Sequence, residues 1–215
     1  MNDNIHGYIE SLLQPRTGLL AEMERYAAEN RVPIMEPVGM DTLLAVMKLQ
    51  KPERLLEIGT AIGYSALRMA EAVTGLHITT LERDKERFEK AVEYISQSGE
   101  QNRIRVLLGD ALELAEQAAE AGPFDAIFID AAKGQYRRFF ELYEPMLKPG
   151  GVIYSDNVLF KGYAAGVDAP SKRLEKMAQK ITDYNEWLMA HPGYDTSIIP
   201  AGDGIAISIK RGEEK

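Results

Sequence analysis

Two short runs join strand-like apolar residues to groups that can do chemistry. "AIFI" (residues 126–129) runs straight into Asp130, with Lys133 three residues on, and "GVIYS" (residues 151–155) runs into Asp156 and Asn157. Strand interiors exclude charge, so a carboxylate at the end of such a run points to a site at the carboxyl edge of a sheet, where parallel α/β sheets hold ligands. Two carboxylates and an amide from neighbouring strand ends are oxygen donors of the kind that hold a hard divalent cation, Mg²⁺ foremost. Each run also has a plainer account. Asp130 can cap a helix beginning near Gly134, and Asp156-Asn157 can form an Asx turn. The two runs alone leave both accounts open.

The elements that must position these groups follow from the pattern around them. From Arg54 onward, apolar runs alternate with helical ones: "RLLEIG" with a helix through Met69, "HITTLE" with "DKERFEKAVEYISQSG", and "IRVLLG" with "DALELAEQAAEAG". "FDAIFI" then leads to a helix over Tyr136 to Leu147, stopped by "KPGG", and "GVIYSD" precedes a helix around Ser171 to Met189. Asp84 and Asp110 read as N-caps, Gly99 and Gly122 as C-terminal stops. Successive βα units imply a mostly parallel Rossmann-like sheet with helices on both faces. "YDTSIIP" and "GIAISIK" are separated only by a few residues around "AGDG", which suits a closing antiparallel hairpin. Before Arg54 the pattern gives helices only, near residues 4–13, 17–30 and 37–48, so a helical cap over residues 1–50 precedes an α/β core over 51–215 in one domain. "KGYAAGVDAPS" reads as a long irregular loop, a lid or binding loop.

The turn after the first strand, "EIGTAIGYS", constrains the ligand. A dinucleotide fingerprint beginning at Gly59 needs glycine two and five residues on, but Ala61 and Tyr64 stand there. The glycines are Gly59 and Gly63, which suit a ligand laid along bare backbone, or simply turn geometry and helix packing. Glu82 ends the second strand about twenty residues beyond the loop, the place from which an acid accepts hydrogen bonds from ribose hydroxyls. Glycines and acid together, in this order, point to a nucleoside.

Six ordered motifs, "EIGTAIGYSA", "LERD", "GDALE", "IDAAKGQY", "YSDNVLF" and "PAGDGIAIS", resemble the metal-dependent class I O-methyltransferases of the catechol and caffeoyl-CoA type. The similarity runs from "VPIMEPVGM" to the last strand, and within the family "DAAKGQY", "DNVLFKG" and "YNEWLMAHP" are similar to bacterial tRNA 5-hydroxyuridine methyltransferases. The resemblance implies a seven-stranded sheet, S-adenosylmethionine as cofactor and Mg²⁺ or another hard divalent cation. By position it implies that Glu57, Gly59 and Ser65 line the methionine moiety, that Met35 closes over the cofactor, that Glu82 holds the ribose and that Asp110 and Ala111 meet the adenine. Asp130, Asp156 and Asn157 become the metal ligands, Asp130 also bordering the cofactor, and Lys133 the general base. The implied reaction is methylation of 5-hydroxyuridine at the tRNA wobble position to 5-methoxyuridine; the alternative is a small catechol-like or caffeoyl-CoA-like phenol. Plant caffeoyl-CoA enzymes carry an acid where this chain has Ala132, which weakens the phenol alternative.

Composition bounds the rest. The 215 residues contain no cysteine, which excludes disulfides, thiolate zinc sites and thiol nucleophiles, and the three histidines, His6, His77 and His191, are scattered. A net charge of −8 argues against sequence-blind adhesion to nucleic acid. The charge is uneven, however: residues 131–180 hold nine Lys and Arg against five Asp and Glu, a net of +4. Arg137, Arg138 and Lys161 in that stretch are candidate contacts to a tRNA anticodon loop, whose unstacked bases are what single-strand recognition uses. No apolar run reaches the ~20 residues of a membrane span, and the acidic start lacks a signal-peptide core, so a cytoplasmic protein without membrane contact is expected. The family resemblance implies a homodimer.

Overall fold

A computed structural model describes residues 3–212. Seven strands form one sheet in the order β3-β2-β1-β4-β5-β7-β6, with β1 at Arg54–Ile58, β2 at His77–Glu82, β3 at Ile104–Leu108, β4 at Phe124–Ile129, β5 at Leu147–Ser155, β6 at Tyr194–Ile199 and β7 at Ile205–Lys210. The first five pair in parallel, while β7 lies antiparallel to both β5 and β6. This is the expected mixed Rossmann-like sheet. Chain order reverses between β1 and β4, and such a switch point opens a crevice at the strands' carboxyl ends.

Period-two alternation divides the sheet between two cores. Leu55, Ala126, Phe128, Val152 and Tyr154 face one side, packed with α2 (Gly18–Asn30), α3 (Pro37–Gln50), α4 (Tyr64–Ala72) and α5 (Lys85–Ser98). Leu56, Ile58, Ile127, Ile129 and Ile153 face the other, with α7 (Tyr136–Tyr143) and α8 (Lys172–Met189). Near-continuous burial of β1 and β4 is what a sheet covered on both faces requires. α1 (Asp3–Leu12) precedes these elements.

The cap is fastened to the core by a half-buried polar cluster. Arg68 on α4 donates to Asp41 on α3 at 2.6 Å and to the Tyr64 hydroxyl at 2.9 Å, and that hydroxyl donates to Glu24 on α2 at 2.5 Å. These bonds fix the α2–α3 connection, residues 31–36, above the crevice.

Several local expectations hold. The Asp84 side chain accepts from Arg87 N–H at 3.0 Å as an N-cap, and Gly99 ends α5 in the left-handed region. Others are corrected. The helix expected from Asp110 is only α6, Ala115–Ala119. Residues 110–114 form a turn instead, because the Asp110 carboxylate accepts from Leu112 N–H at 2.9 Å and the Tyr143 hydroxyl holds the Ala111 carbonyl at 2.5 Å. The helix expected to reach Leu147 ends at Tyr143 and passes through a 3-10 turn at Glu144–Met146, where Pro145 cannot donate a helical bond. β5 already begins at Leu147, so "KPGG" lies within the strand. The supposed loop "KGYAAGVDAPS" begins inside a 3-10 stretch, Phe160–Ala165.

Candidate active site

A cavity of about 430 Å³ lies at the switch point. Its floor is the carboxyl ends of β1, β2, β4 and β5, its roof residues 33–36, and Gly202 and Asp203 of the β6–β7 hairpin close one side. Met35, Gly59, Ser65, Glu82, Asp110, Ala111, Asp130, Lys133, Asp156, Asn157 and Lys161 all line it.

At one end the loop after β1 is shaped by β4. Gly59 has φ +109, and a Cβ there would stand 2.2 Å from the Asp130 carbonyl oxygen, so no other residue fits without moving β4. Gly63, at φ +83, starts α4 against Ala91 of α5. Turn geometry and helix packing therefore account for both glycines whatever ligand lies alongside. Glu82 is held in place by Ala61 N–H and Asp84 N–H, both at 2.8 Å.

Glu57 does not line the cavity; it stands behind it, fully buried. The Ser65 hydroxyl donates to one of its oxygens and the Thr80 hydroxyl, at 2.5 Å, to the other. Burial pushes its pKa up to about 7; the two hydroxyls pull it back and the charge of Glu82 adds to the rise. Thr80, linked in turn to Thr60 at 2.6 Å, was not anticipated from the sequence, since a threonine in "HITTLE" reads as an ordinary strand former.

At the other end the groups from the opening motifs meet. The Asn157 amide nitrogen lies 2.5 Å from Asp156 Oδ2 and 3.4 Å from Asp130 Oδ1, while its oxygen accepts from Lys133 Nζ at 2.5 Å. Asn157 reaches this place with φ +60, a left-handed conformation that Asn adopts more readily than most residues. Asp130 caps no helix: the following 3-10 turn, Lys133–Gln135, begins after Ala132 and has no side-chain cap. Asp156 is buried, and burial followed by the charge of Asp130 raises its carboxyl well above the ordinary range. Burial raises Asp130 too, opposed by Lys133 and reinforced by Glu57. Burial lowers the Lys133 ammonium, and the two aspartates oppose that. Two carboxylates that burial and mutual repulsion disfavour as anions, with an amide between them, suit a divalent cation: it would meet both charges, and the amide has an oxygen to offer. Among the described residues no group of three or more His, Cys, Asp or Glu gathers, and in this structure the Asn157 amide turns its nitrogen to the aspartates and its oxygen to Lys133.

The candidate RNA contacts are divided. Lys161 lines the cavity, its backbone N–H held by the Asp203 carboxylate. Arg137 and Arg138 do not line it. Arg137 pairs with Glu141 at 2.8 Å and lies over the Trp187 ring at 4.9 Å, and Arg138 donates to Gln135 at 3.0 Å. Gln135, Asp203 and the arginines Arg83 and Arg87 line the cavity without having been singled out.

Residues 11–211 match the family described as O-methyltransferase. The chain belongs to that family. A catechol O-methyltransferase of Niastella koreensis is 29% identical over 96% of this chain and 96% of its own. Caffeoyl-CoA O-methyltransferase 2 of Populus trichocarpa is 29% identical over 96% of this chain and 88% of its own. Among solved structures, a Staphylococcus aureus protein is 36% identical with a TM-score of 0.89, covering 97% of this chain and 100% of that one. An O-methyltransferase from Bacillus cereus, solved in complex with SAH, is 27% identical over 97% of each chain, with a TM-score of 0.82. No helix among the described residues is long and apolar enough to cross a membrane.

Proposed function

We propose that the chain transfers a methyl group from S-adenosylmethionine to a hydroxyl that has a second oxygen beside it, with a divalent cation bound at Asp130, Asp156 and Asn157. The observation that carries this reading is the convergence of those three side chains and Lys133 at one end of a cavity whose other end holds Glu82 and Asp110. The Bacillus cereus relative, solved with SAH, supports the choice of cofactor. Ser65, with Glu57 behind it, would face the methionine end, Glu82 the ribose, and Asp110 with Ala111 the adenine. Met35, buried in the roof, would cover the cofactor.

When bound, the cation supplies charge that lowers a hydroxyl's pKa and a template that fixes two adjacent oxygens. The rest falls to the chain's own residues. The cavity holds the hydroxyl in line with the methyl group, so that little orientational freedom is left to lose. Its oxygen forms the new C–O bond as the methyl–sulfur bond breaks, and sulfur keeps the electron pair. The hydroxyl proton passes to Lys133 Nζ, whose affinity for protons burial lowers while the neighbouring aspartates oppose that.

For the substrate we propose 5-hydroxyuridine at the tRNA wobble position, giving 5-methoxyuridine. Its hydroxyl beside a carbonyl offers the two oxygens required, and the excess of positive charge in residues 131–180 of an otherwise acidic chain favours a phosphate-bearing partner. The relatives' names favour a second reading, a catechol or caffeoyl-CoA phenol. One experiment separates the two: labelled S-adenosylmethionine with tRNA carrying 5-hydroxyuridine, with catechol and with caffeoyl-CoA, each with Mg²⁺ or with chelator. Mg²⁺-dependent label in tRNA is the expected result. Label in a phenol with none in tRNA establishes the second reading, and full activity under chelation removes the cation from either.

A further inference from the structure

α8 opens on a Ser171 N-cap with Glu175 in its first turn. Lys172 and Arg173 also stand there, where the macrodipole disfavours cations, and Lys176 and Lys180 follow Lys172 at i+4 and i+8, where like charges repel. All four side chains are exposed, and none makes an ion pair among the described residues. Together with Met177 they line a shallow recess of their own. A chain of net charge −8 has acidic side chains to spare for neutralising such a row, so an unneutralised row that breaks local rules calls for a functional reason.

Its position supplies one. The inner end of the row touches the 3-10 turn that carries Lys133: a Cβ on Gly134 would lie 3.5 Å from Lys180 Nζ and 3.8 Å from Met177 Cε. The row thus leads away from the rim of the catalytic cavity. Lys172, Lys176 and Lys180 are set at steps of about 6 Å along the helix axis, so their backbone positions form a file rather than a single cluster. A single phosphate is best held by converging donors; a file of separate cations matches a chain with a charge on every unit.

We propose that Lys172, Arg173, Lys176 and Lys180 of α8 form a docking track for the phosphodiester backbone of an RNA substrate, holding the strand while one unstacked base enters the cavity. This rests on the tRNA reading above. It also shifts the RNA surface from Arg137 and Arg138, one ion-paired and the other hydrogen-bonded, to cations that make no ion pair among the described residues.

The test uses the full chain with Lys172→Gln, Lys176→Gln and Lys180→Gln combined, and separately the single Lys176→Glu, all at exposed positions. Methyl transfer is measured to tRNA carrying 5-hydroxyuridine and to the free 5-hydroxyuridine nucleoside, which has no phosphate; tRNA binding is followed from low to high salt. The expected result for the triple variant is a rise in KM for tRNA of roughly tenfold or more, a kcat within about twofold, and nucleoside turnover unchanged. The slope of log K against log salt should shrink by about 2 for three lost cations. Lys176→Glu should move tRNA KM in the same direction with nucleoside turnover intact. An unchanged tRNA KM and salt slope overturn the track while leaving the tRNA reading standing. Equal losses on tRNA and nucleoside overturn it as well, because the effect then lies in the cavity. If the unaltered protein labels no tRNA, the tRNA reading fails and the track fails with it.

Discussion

The two ends of the cavity handle buried carboxylates in opposite ways. At the cofactor end, Glu57 has no cation beside it and is held by the hydroxyls of Ser65 and Thr80, while Glu82 is held by two backbone N–H groups. At the cation end, Asp130 and Asp156 face each other across an amide, with one lysine nearby. Hydrogen bonds let the first end stand on its own. The second sets two carboxylates against each other with Lys133 as the nearby cation, and under the proposed function a divalent cation would add the charge that balances them. Preorganisation and deliberate incompleteness sit at opposite edges of one pocket, and each predicts a different response to mutation.

The largest effect is expected at the cation end. Asp156→Ala should lower methyl transfer by on the order of 1000-fold, the scale seen when a preorganised charge-stabilising group is lost. It should leave the fold intact, with a melting temperature in chelator no lower than the parent's, since the lost carboxylate is disfavoured by burial. Steady-state kinetics and thermal melts check both halves, and a large drop in melting temperature would assign Asp156 a structural role. Gly59→Ala comes next. The new methyl group would collide with the Asp130 carbonyl, which links the two ends, at a cost of roughly 3 kcal/mol or more in unfolding free energy by denaturant titration. A cost below about 1 kcal/mol would show that the ends are uncoupled.

A smaller effect concerns pH at the cofactor end. Glu57 has a folded-state pKa of about 7 against 4.5 ordinarily, so the folded state favours its protonated form. Without cofactor, its contribution to stability is fully present below 4.5 and is lost as pH rises through about 7. Cofactor binding should show the reverse. A cationic amino group facing Ser65 prefers the anion, so affinity should rise up to about tenfold between pH 6 and 8 and then level off, with proton release on binding measurable by calorimetry in two buffers. Ser65→Ala removes a hydrogen bond that lowers the pKa and should move the profile to higher pH. A flat profile would place the amino group elsewhere. The smallest effect is predicted for Arg137→Gln with Arg138→Gln, less than about twofold in tRNA KM, because the first already has a carboxylate partner and neither reaches the cavity.

How far the sequence could be read follows the same division. Asp130, Asp156 and Asn157 stood out as oxygen donors at the ends of apolar strands, but the runs alone left a helix cap and an Asx turn open, and the family resemblance chose between the accounts. Glu82 was visible for the same reason. The supports of Glu57 were not, since Thr80 is unremarkable in a strand and its hydroxyl matters only once β1 and β2 are in register, with Glu57 opposite Thr80. The Asp110 helix was misread because the competing force, Tyr143 gripping the Ala111 carbonyl, comes from 32 residues away. The row on α8 was legible as charge, but its meeting with Gly134 depends on how α8 crosses the sheet.

The strand beside β5 is not the next one in the chain but the last, β7. Val158 N–H and Leu159 N–H, just beyond Asp156 and Asn157, are received by the carbonyls of Gly204 and Asp203 at its entrance. Without β7, β5 would have an open flank, and the Val158 and Leu159 N–H groups would lose their acceptors while Asn185 on α8 still reached the Val158 carbonyl. The Asp130 and Asp156 N–H groups are received by the carbonyls of Ile58 and Ile129, so the middle of the sheet sets the aspartates and its closing hairpin sets the path just beyond them.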